Sequence, residues 1–271
     1  MRFSHGLLLT GMTLVSARPI HAHPESAVER AALDALISET PDNVDLYLRR
    51  AAHHEDHHDW PAAEADLRRA ARLAPGSAAV LIALARVYLG SDRAREARAQ
   101  LDAVLARHPR APEALVLRAR TRAKQGEIAA AHRDYSKAIA ILEEPSPGLF
   151  LERASLPIST ASALRGLDEG LARLGPASAL LERALALELR LGRTDAALAR
   201  IDLLRANSER QETWLKRRGD VLALVGRDQE ARAAYRAAVA AVEALPDWLR
   251  NSPETLRLAA ELTRLCAPGV S

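Results

Sequence analysis

Pro41, Pro75 and Pro109 follow one another at intervals of 34 residues, and the same step recurs at other places in the chain. Ala63, Ala97 and Ala131 keep it, as do Leu67, Leu101 and Tyr135, and so do His58, Asp92 and Gly126. Further on, Gly192 and Gly226, Ala197 and Ala231, and Ile201 and Tyr235 are again 34 apart. Ala197 lies 66 residues after Ala131, so one intervening unit, holding Ala163 and Leu167, is two residues short of the period. A fixed step of this length marks a stacked repeat array rather than a single globule. Each unit leaves an apolar face that only its neighbour can cover, so the chain has to fold as a one-dimensional stack.

Composition says what the units are made of. Apolar residues make up 48 % of the chain but aromatics only 3 %, so alanine and leucine fill the interior. Alanine, leucine, arginine and glutamate favour helices, while the β-branched and aromatic residues that strands favour are scarce. An all-α protein is expected. The small residues at 63, 85, 97, 119, 131, 219 and 231 sit where two antiparallel helices would have to cross closely.

Three segments carry a family pattern. "LALARVYLGSDRAREARAQLDAVLARHP" presents Ala85, Tyr88, Ala97, Leu101 and Pro109. "LVLRARTRAKQGEIAAAHRDYSKAIAI" presents Ala119, Gly126, Ala131, Tyr135 and Ala138. "WLKRRGDVLALVGRDQEARAAYRAAVA" presents Trp214, Gly219, Gly226, Ala231, Tyr235 and Ala238. This succession of bulky, small and aromatic positions resembles the tetratricopeptide repeat family over roughly residues 25–245. The resemblance implies a right-handed α-solenoid of helix-turn-helix repeats. It also implies that first helices line a groove for a protein or peptide partner, a face that would include Glu55, Arg86, Arg120, Lys216 and Asp220. Arg86 and Arg120 hold equivalent positions in consecutive units and are candidates to hold a ligand carboxylate through the charge-assisted bonds arginine makes well.

The resulting domain plan has four parts. Residues 1–22 read as a signal peptide: Arg2 supplies a positive start, Gly6 to Val15 an apolar stretch too short to span a bilayer, and Ala17 or Ala22 a cleavage site. Residues 23–41 form an N-terminal capping helix, equivalent to a lone second helix in phase with Pro41. Residues 42–246 form an array of about six repeats, the fourth degenerate. Residues 247–271 form a C-terminal capping helix and tail, with Ser252 as N-cap, Pro253 in the first turn and an apolar stripe of Leu256, Ala259, Ala260, Leu262 and Leu265. In the fourth unit Pro157 falls where the first helix should still run, and proline there removes a donor and clashes with the preceding turn. A shortened first helix and a local change of superhelix pitch between 155 and 162 are expected, from a degenerate repeat or, alternatively, a hinge.

Arginine recurs just before the small residue of the first helix, at Arg50, Arg118, Arg153, Arg183 and Arg218. Asp66 and Asp134 follow Arg50 and Arg118 by sixteen residues, whereas the second unit has Leu84 and Gln100 and lacks both partners together. Simultaneous loss is what an ion pair within the repeat predicts, because a buried charge without its partner is costly. Arg50–Asp66 and Arg118–Asp134 therefore read as structural pairs, and Arg218 has no acid sixteen residues later.

"HHEDHHDW", residues 53–60, holds four of the nine histidines. In the 34-residue frame it is the end of a first helix, a turn and a helix start, with Asp59 as N-cap. His53 and His57, or His54 and His58, lie four apart and could each present two metal ligands on one helical face. No HExxH motif and no second cluster supplies more, so a metal-binding or metal-responsive adaptor is an alternative reading only.

Elsewhere there is no Gly-rich phosphate loop, no GxSxG and no cysteine nucleophile placed with a histidine. The single cysteine, Cys266, excludes an intrachain disulfide and a thiolate cluster. The net charge of +3 comes without a run of five like charges or interleaved aromatics, which argues against nucleic-acid binding. The expectation is a non-enzymatic, exported scaffold in a bacterial periplasm, or secreted, with no cofactor, no membrane span in the mature chain and a polypeptide partner. A structural subunit of an envelope assembly is a further alternative.

Overall fold

A computed structural model of the chain describes residues 24–267, and the leader expected at residues 1–22 lies outside them. Every regular element among the described residues is a helix. A lone helix, α1 (Pro24–Glu39), precedes six helical pairs. The pairs are α2 (Val44–Asp56) with α3 (Trp60–Leu73), α4 (Ala78–Gly90) with α5 (Ala94–Arg107), and α6 (Pro112–Lys124) with α7 (Ile128–Ile141). They continue as α8 (Pro147–Ser155) with α9 (Thr160–Leu174), α10 (Ser178–Arg190) with α11 (Thr194–Ala206), and α12 (Gln211–Leu224) with α13 (Asp228–Glu243). The short α14 (Asp247–Arg250) and α15 (Pro253–Cys266) close the described chain. The chain divides into two compact units, the first ending at Ala83 and the second beginning at Leu84, within α4. In the first unit α2 packs on α1 and α3; in the second, consecutive helices from α5 to α13 pack in series and α15 lies on α13.

The period is visible in the backbone. His58, Asp92, Gly126, Gly192 and Gly226 all adopt positive φ, between 57° and 78°, in the tight turn between the helices of a pair. The turn demands the left-handed region, glycine enters it without a Cβ penalty, and histidine and aspartate are tolerated there. The N-caps agree with the sequence at two places: Asp59 accepts from the Ala62 amide and Ser252 from the Thr255 amide.

Small residues mark the crossings. Ala63, Ala85, Ala97, Ala119 and Ala131 are fully buried, as are the equivalent large positions Leu67 and Leu101. Gly219 stands at the crossing in α12, and a Cβ there would lie 2.3 Å from Cε1 of Tyr235. Tyr135 occupies the corresponding place opposite Ala119. Its hydroxyl reaches forward to Glu152 of the next pair, 2.9 Å away. Tyr235 instead bonds back to Asp220 of its own pair, at 3.2 Å, and its ring lies over α12. The backward lean is what demands glycine rather than alanine at 219.

α8 stops after nine residues, where the other first helices run for 13 or 14. Leu156 leaves the helix with ψ 148°, as a residue before proline must, and α9 restarts at Thr160 under a Ser159 cap. The irregular stretch is thus local and caused by Pro157.

Ala259, Leu262 and Leu265 of the expected C-terminal stripe face the core, whereas Leu256 and Ala260 do not. Leu256 is 54 % exposed and Ala260 is exposed, while Thr255 and Leu262 are fully buried and Leu258, Ala259, Leu265 and Cys266 pack against the core. The buried face begins at Thr255 because its hydroxyl accepts from Arg210 Nη2 at 3.0 Å, which makes a polar side chain an inner one.

Candidate interaction surface

Four of the five recurrent arginines, Arg50, Arg118, Arg153 and Arg218, pair with acids sixteen residues away, forward or backward, whereas Arg183 has Leu167 and Ala199 at those intervals and a buried Nε without a hydrogen bond among the described residues. Arg50 donates Nε and Nη2 to Asp66 at 2.8 and 2.6 Å, and Nη1 to Asp34 of α1 at 2.6 Å. Arg118 donates to both oxygens of Asp134 at 2.8 and 2.9 Å and to Asp102 of the preceding pair at 2.9 Å. Arg122 adds a third bond to Asp134 at 2.7 Å, so that this carboxylate, 1 % exposed, is fully surrounded by donors. Arg153 reaches Glu169 at 2.6 Å. Arg218, which has no acid sixteen residues later, pairs with Asp202 sixteen residues earlier at 3.0 Å. The backward partners Asp34, Asp102 and Asp202 were readable from the same spacing, had it been applied in both directions.

With those arginines committed to the interior, the remaining face of α6 carries the features open to a ligand. Leu89, Ala123, Ile128, Leu151, Leu156 and Pro157 line an open hollow of about 690 Å³, with Lys124 and Ser155 at its edge. The truncated α8 supplies its far wall, so the break at Pro157 is also what shapes it. A second hollow of about 340 Å³, lined by Pro112, Val116, Leu117 and Leu142, lies on the other side of Arg120. Arg120 borders both hollows.

The rim charges of this surface are already matched. Glu152 accepts from Nε and Nη2 of Arg120 at 2.8 and 2.7 Å, and from Tyr135 Oη at 2.9 Å. The guanidinium, and after it the Tyr135 hydroxyl, hold the Glu152 carboxyl below the usual range; burial, and then Glu152 itself, push the Tyr135 phenol above its ordinary value. Lys124 donates to the Leu89 carbonyl and to Asp92, both at 3.2 Å. Arg86 bonds Glu113 at 3.2 Å. The two arginines singled out as ligand holders therefore each carry a carboxylate of this chain.

The other candidate positions do not converge on this place. Lys216 and Asp220 bond each other at 3.1 Å, and Lys216 also bonds Glu261 of α15 at 2.9 Å. Burial works to lower the Lys216 pKa, but the bonds to Glu261 and Asp220 outweigh it and raise it. The pair thus fastens the C-terminal helix. Glu55 lies on α2 in the first unit, beside the histidines.

Of the four histidines, His53 and His57 come together on one face, while His54 and His58 turn elsewhere. His53 and His57 meet edge to face with centroids 4.7 Å apart. His54 turns to Asp59 and Asp66, at 3.7 and 3.9 Å. His58, in the left-handed turn, lies against Trp60 with ring centroids 5.2 Å apart. Among the described residues no group of three or more histidine, cysteine or acidic side chains is arranged to hold a metal ion. The positive φ at residue 58 separates its ring from the helical face that spacing alone had offered.

Comparison with known proteins gives the fold. A family model for the tetratricopeptide repeat matches residues 55–121. The C-terminal part of a TPR repeat-containing protein from Cytophaga hutchinsonii superposes with a TM-score of 0.62 at 13 % identity, over 86 % of this chain and 94 % of that one. PilW, described as a widely conserved type IV pilus biogenesis factor, gives 0.58 at 23 % identity, over 70 % and 91 %. PilF of Pseudomonas aeruginosa gives 0.54 at 15 % identity, over 86 % and 99 %. No curated protein sequence matches the chain. No helix among the described residues is long and apolar enough to cross a membrane.

Proposed function

We propose that this chain, a repeat protein of the tetratricopeptide type, is a non-enzymatic scaffold of the bacterial envelope that holds a polypeptide partner in a groove along the face of α6 that carries Val116, Arg120 and Ala123. The observation that carries this reading is the pair of open hollows on either side of Arg120, on a surface whose own charges are satisfied. Such concave, mainly apolar places with a few fixed polar groups are where ligands bind. Export rests on the signal-like residues 1–22, and the likeness to PilW, a type IV pilus biogenesis factor, supports an envelope setting.

Two experiments test it. The tag-free chain from residue 23 onward is immobilised and panned against a displayed library of random dodecapeptides. Enriched peptides that bind the native chain and not the urea-unfolded one are expected, and no enrichment above background would end the scaffold reading. Fusion of residues 1–30 to a reporter that is active only after export tests location; a reporter retained in the cytoplasm would remove the envelope from the proposal.

A further inference from the structure

We infer that the partner segment is an extended, uncharged stretch of polypeptide with two bulky apolar side chains three residues apart, one seated in each hollow beside Arg120. The inference rests on the scaffold reading and specifies the chemistry of its ligand.

Three observations carry it. First, the hollows are separate but share one wall. Arg120 borders both, and Glu152 grips its guanidinium at two atoms, so a compact small molecule meets a fixed partition whereas a chain can cross it. Second, the spacing suits an extended chain. Val116 and Leu117 line one hollow and Ala123 and Lys124 the other, seven residues further along α6, which is about 10.5 Å at the helical rise. In the polyproline II conformation three residues advance about 9.3 Å and return a side chain to the same face. Third, the rim is electrically closed. Arg86, Arg120 and Lys124 are bonded to Glu113, Glu152 and Asp92 respectively, so an acidic ligand would approach as a second carboxylate against the repulsion of the one already in place. An apolar ligand meets no such repulsion and gains from covering Leu89, Ile128, Leu151 and Leu156.

The test uses the dodecapeptides enriched on the wild-type chain. Their consensus is expected to show bulky apolar residues at i and i+3 with no net charge. Binding by fluorescence anisotropy is expected to change less than about twofold between 0.05 and 0.5 M NaCl, because screening acts on charges and leaves apolar contact in place. Ala123→Trp and Ser155→Trp each fill the larger hollow and are expected to weaken binding by about tenfold or more, equivalent to about 1.4 kcal/mol. Far-UV circular dichroism and the melting curve establish that each variant is folded.

An acidic consensus whose affinity falls more than about tenfold across that salt range would overturn the inference and leave the scaffold reading standing. So would apolar peptides whose binding is indifferent to both folded tryptophan variants. The consensus and the salt series are read on the wild-type chain and decide the matter even where a variant fails to fold. Absence of any enriched peptide refutes the scaffold reading itself.

Discussion

Gly219→Ala sets two effects of opposite sign against each other. Gly219 lies within α12, where helix propensity alone makes alanine more stable by about 1 kcal/mol. The added Cβ, however, would sit 2.3, 2.5 and 2.9 Å from three ring carbons of Tyr235, all well inside ordinary carbon–carbon contact of about 3.5–4.0 Å. The ring is 5 % exposed and cannot swing into solvent without opening the core, and moving it stretches the 3.2 Å bond from its hydroxyl to Asp220. Overpacking costs about 1–3 kcal/mol and a lost hydrogen bond about 1 more. The clash wins, and a net loss of about 1–3 kcal/mol is expected once the propensity gain is subtracted. Urea unfolding followed by circular dichroism reads this as a midpoint lowered by roughly 0.5–1 M with an unchanged slope. The control is Gly219→Ala in a Tyr235→Leu background, which recreates the combination of Ala85 with Leu101 found earlier in the chain. There the alanine is expected to be neutral or stabilising. A midpoint raised by the single substitution would refute the packing argument, because propensity would then have outweighed contact.

Other perturbations probe the arginine pairs, the turn and the histidines. Asp134→Ala leaves Arg118 and Arg122 without their shared acceptor and is expected to cost about 3–5 kcal/mol. Arg118→Ala, in which Arg122 still covers the carboxylate, should cost less; an equal or larger loss in the same urea assay would contradict the shared-acceptor geometry. His58→Gly is expected to raise stability by about 1 kcal/mol by relieving a left-handed conformation, and a lowered melting temperature would show that the imidazole matters more than the backbone. The His54 pKa is depressed, first by burial, against the smaller opposing pull of Asp66 and Asp59. The unfolded chain therefore takes up this proton near pH 6.5 while the folded chain resists it, so the contribution is complete above about pH 6.5 and fades as the solution is acidified. Melting curves between pH 7.5 and 5 should fall less steeply for His54→Gln than for the wild type, and identical slopes would dismiss the effect.

Several features were legible because they depend on local chemistry repeated at a fixed step. A left-handed turn needs glycine, aspartate or histidine, so residues 58, 92, 126, 192 and 226 announce it. A close crossing needs alanine or glycine, and a proline ends a helix wherever it stands, so Pro157 announced the short α8. The spacing of sixteen placed Arg50 by Asp66 and Arg118 by Asp134, atoms that lie within 2.9 Å.

The sixteen-residue frame left out bonds made at other intervals. Arg120 meets Glu152 across 32 residues and Arg86 meets Glu113 across 27; the first interval recurs at Arg200–Asp168 and Arg227–Asp195 and the second at Arg69–Asp42, so a search at those steps would have offered both. Reading these arginines as free for a ligand followed from their place in the frame; the structure closes them with carboxylates of the chain itself. Thr255 turns inward, where Arg210 and Ser252 both bond its hydroxyl, and Leu256 turns outward.

The sequence by itself determined the helical pairs, their turns and their stacking, because those follow from backbone conformation and from burying alanine and leucine at a constant period. Tertiary structure alone decided where the surface is hollow and which charges remain for a partner. The larger hollow exists where α8 falls short of its neighbours, and a charge is spent wherever a neighbour's carboxylate happens to reach it.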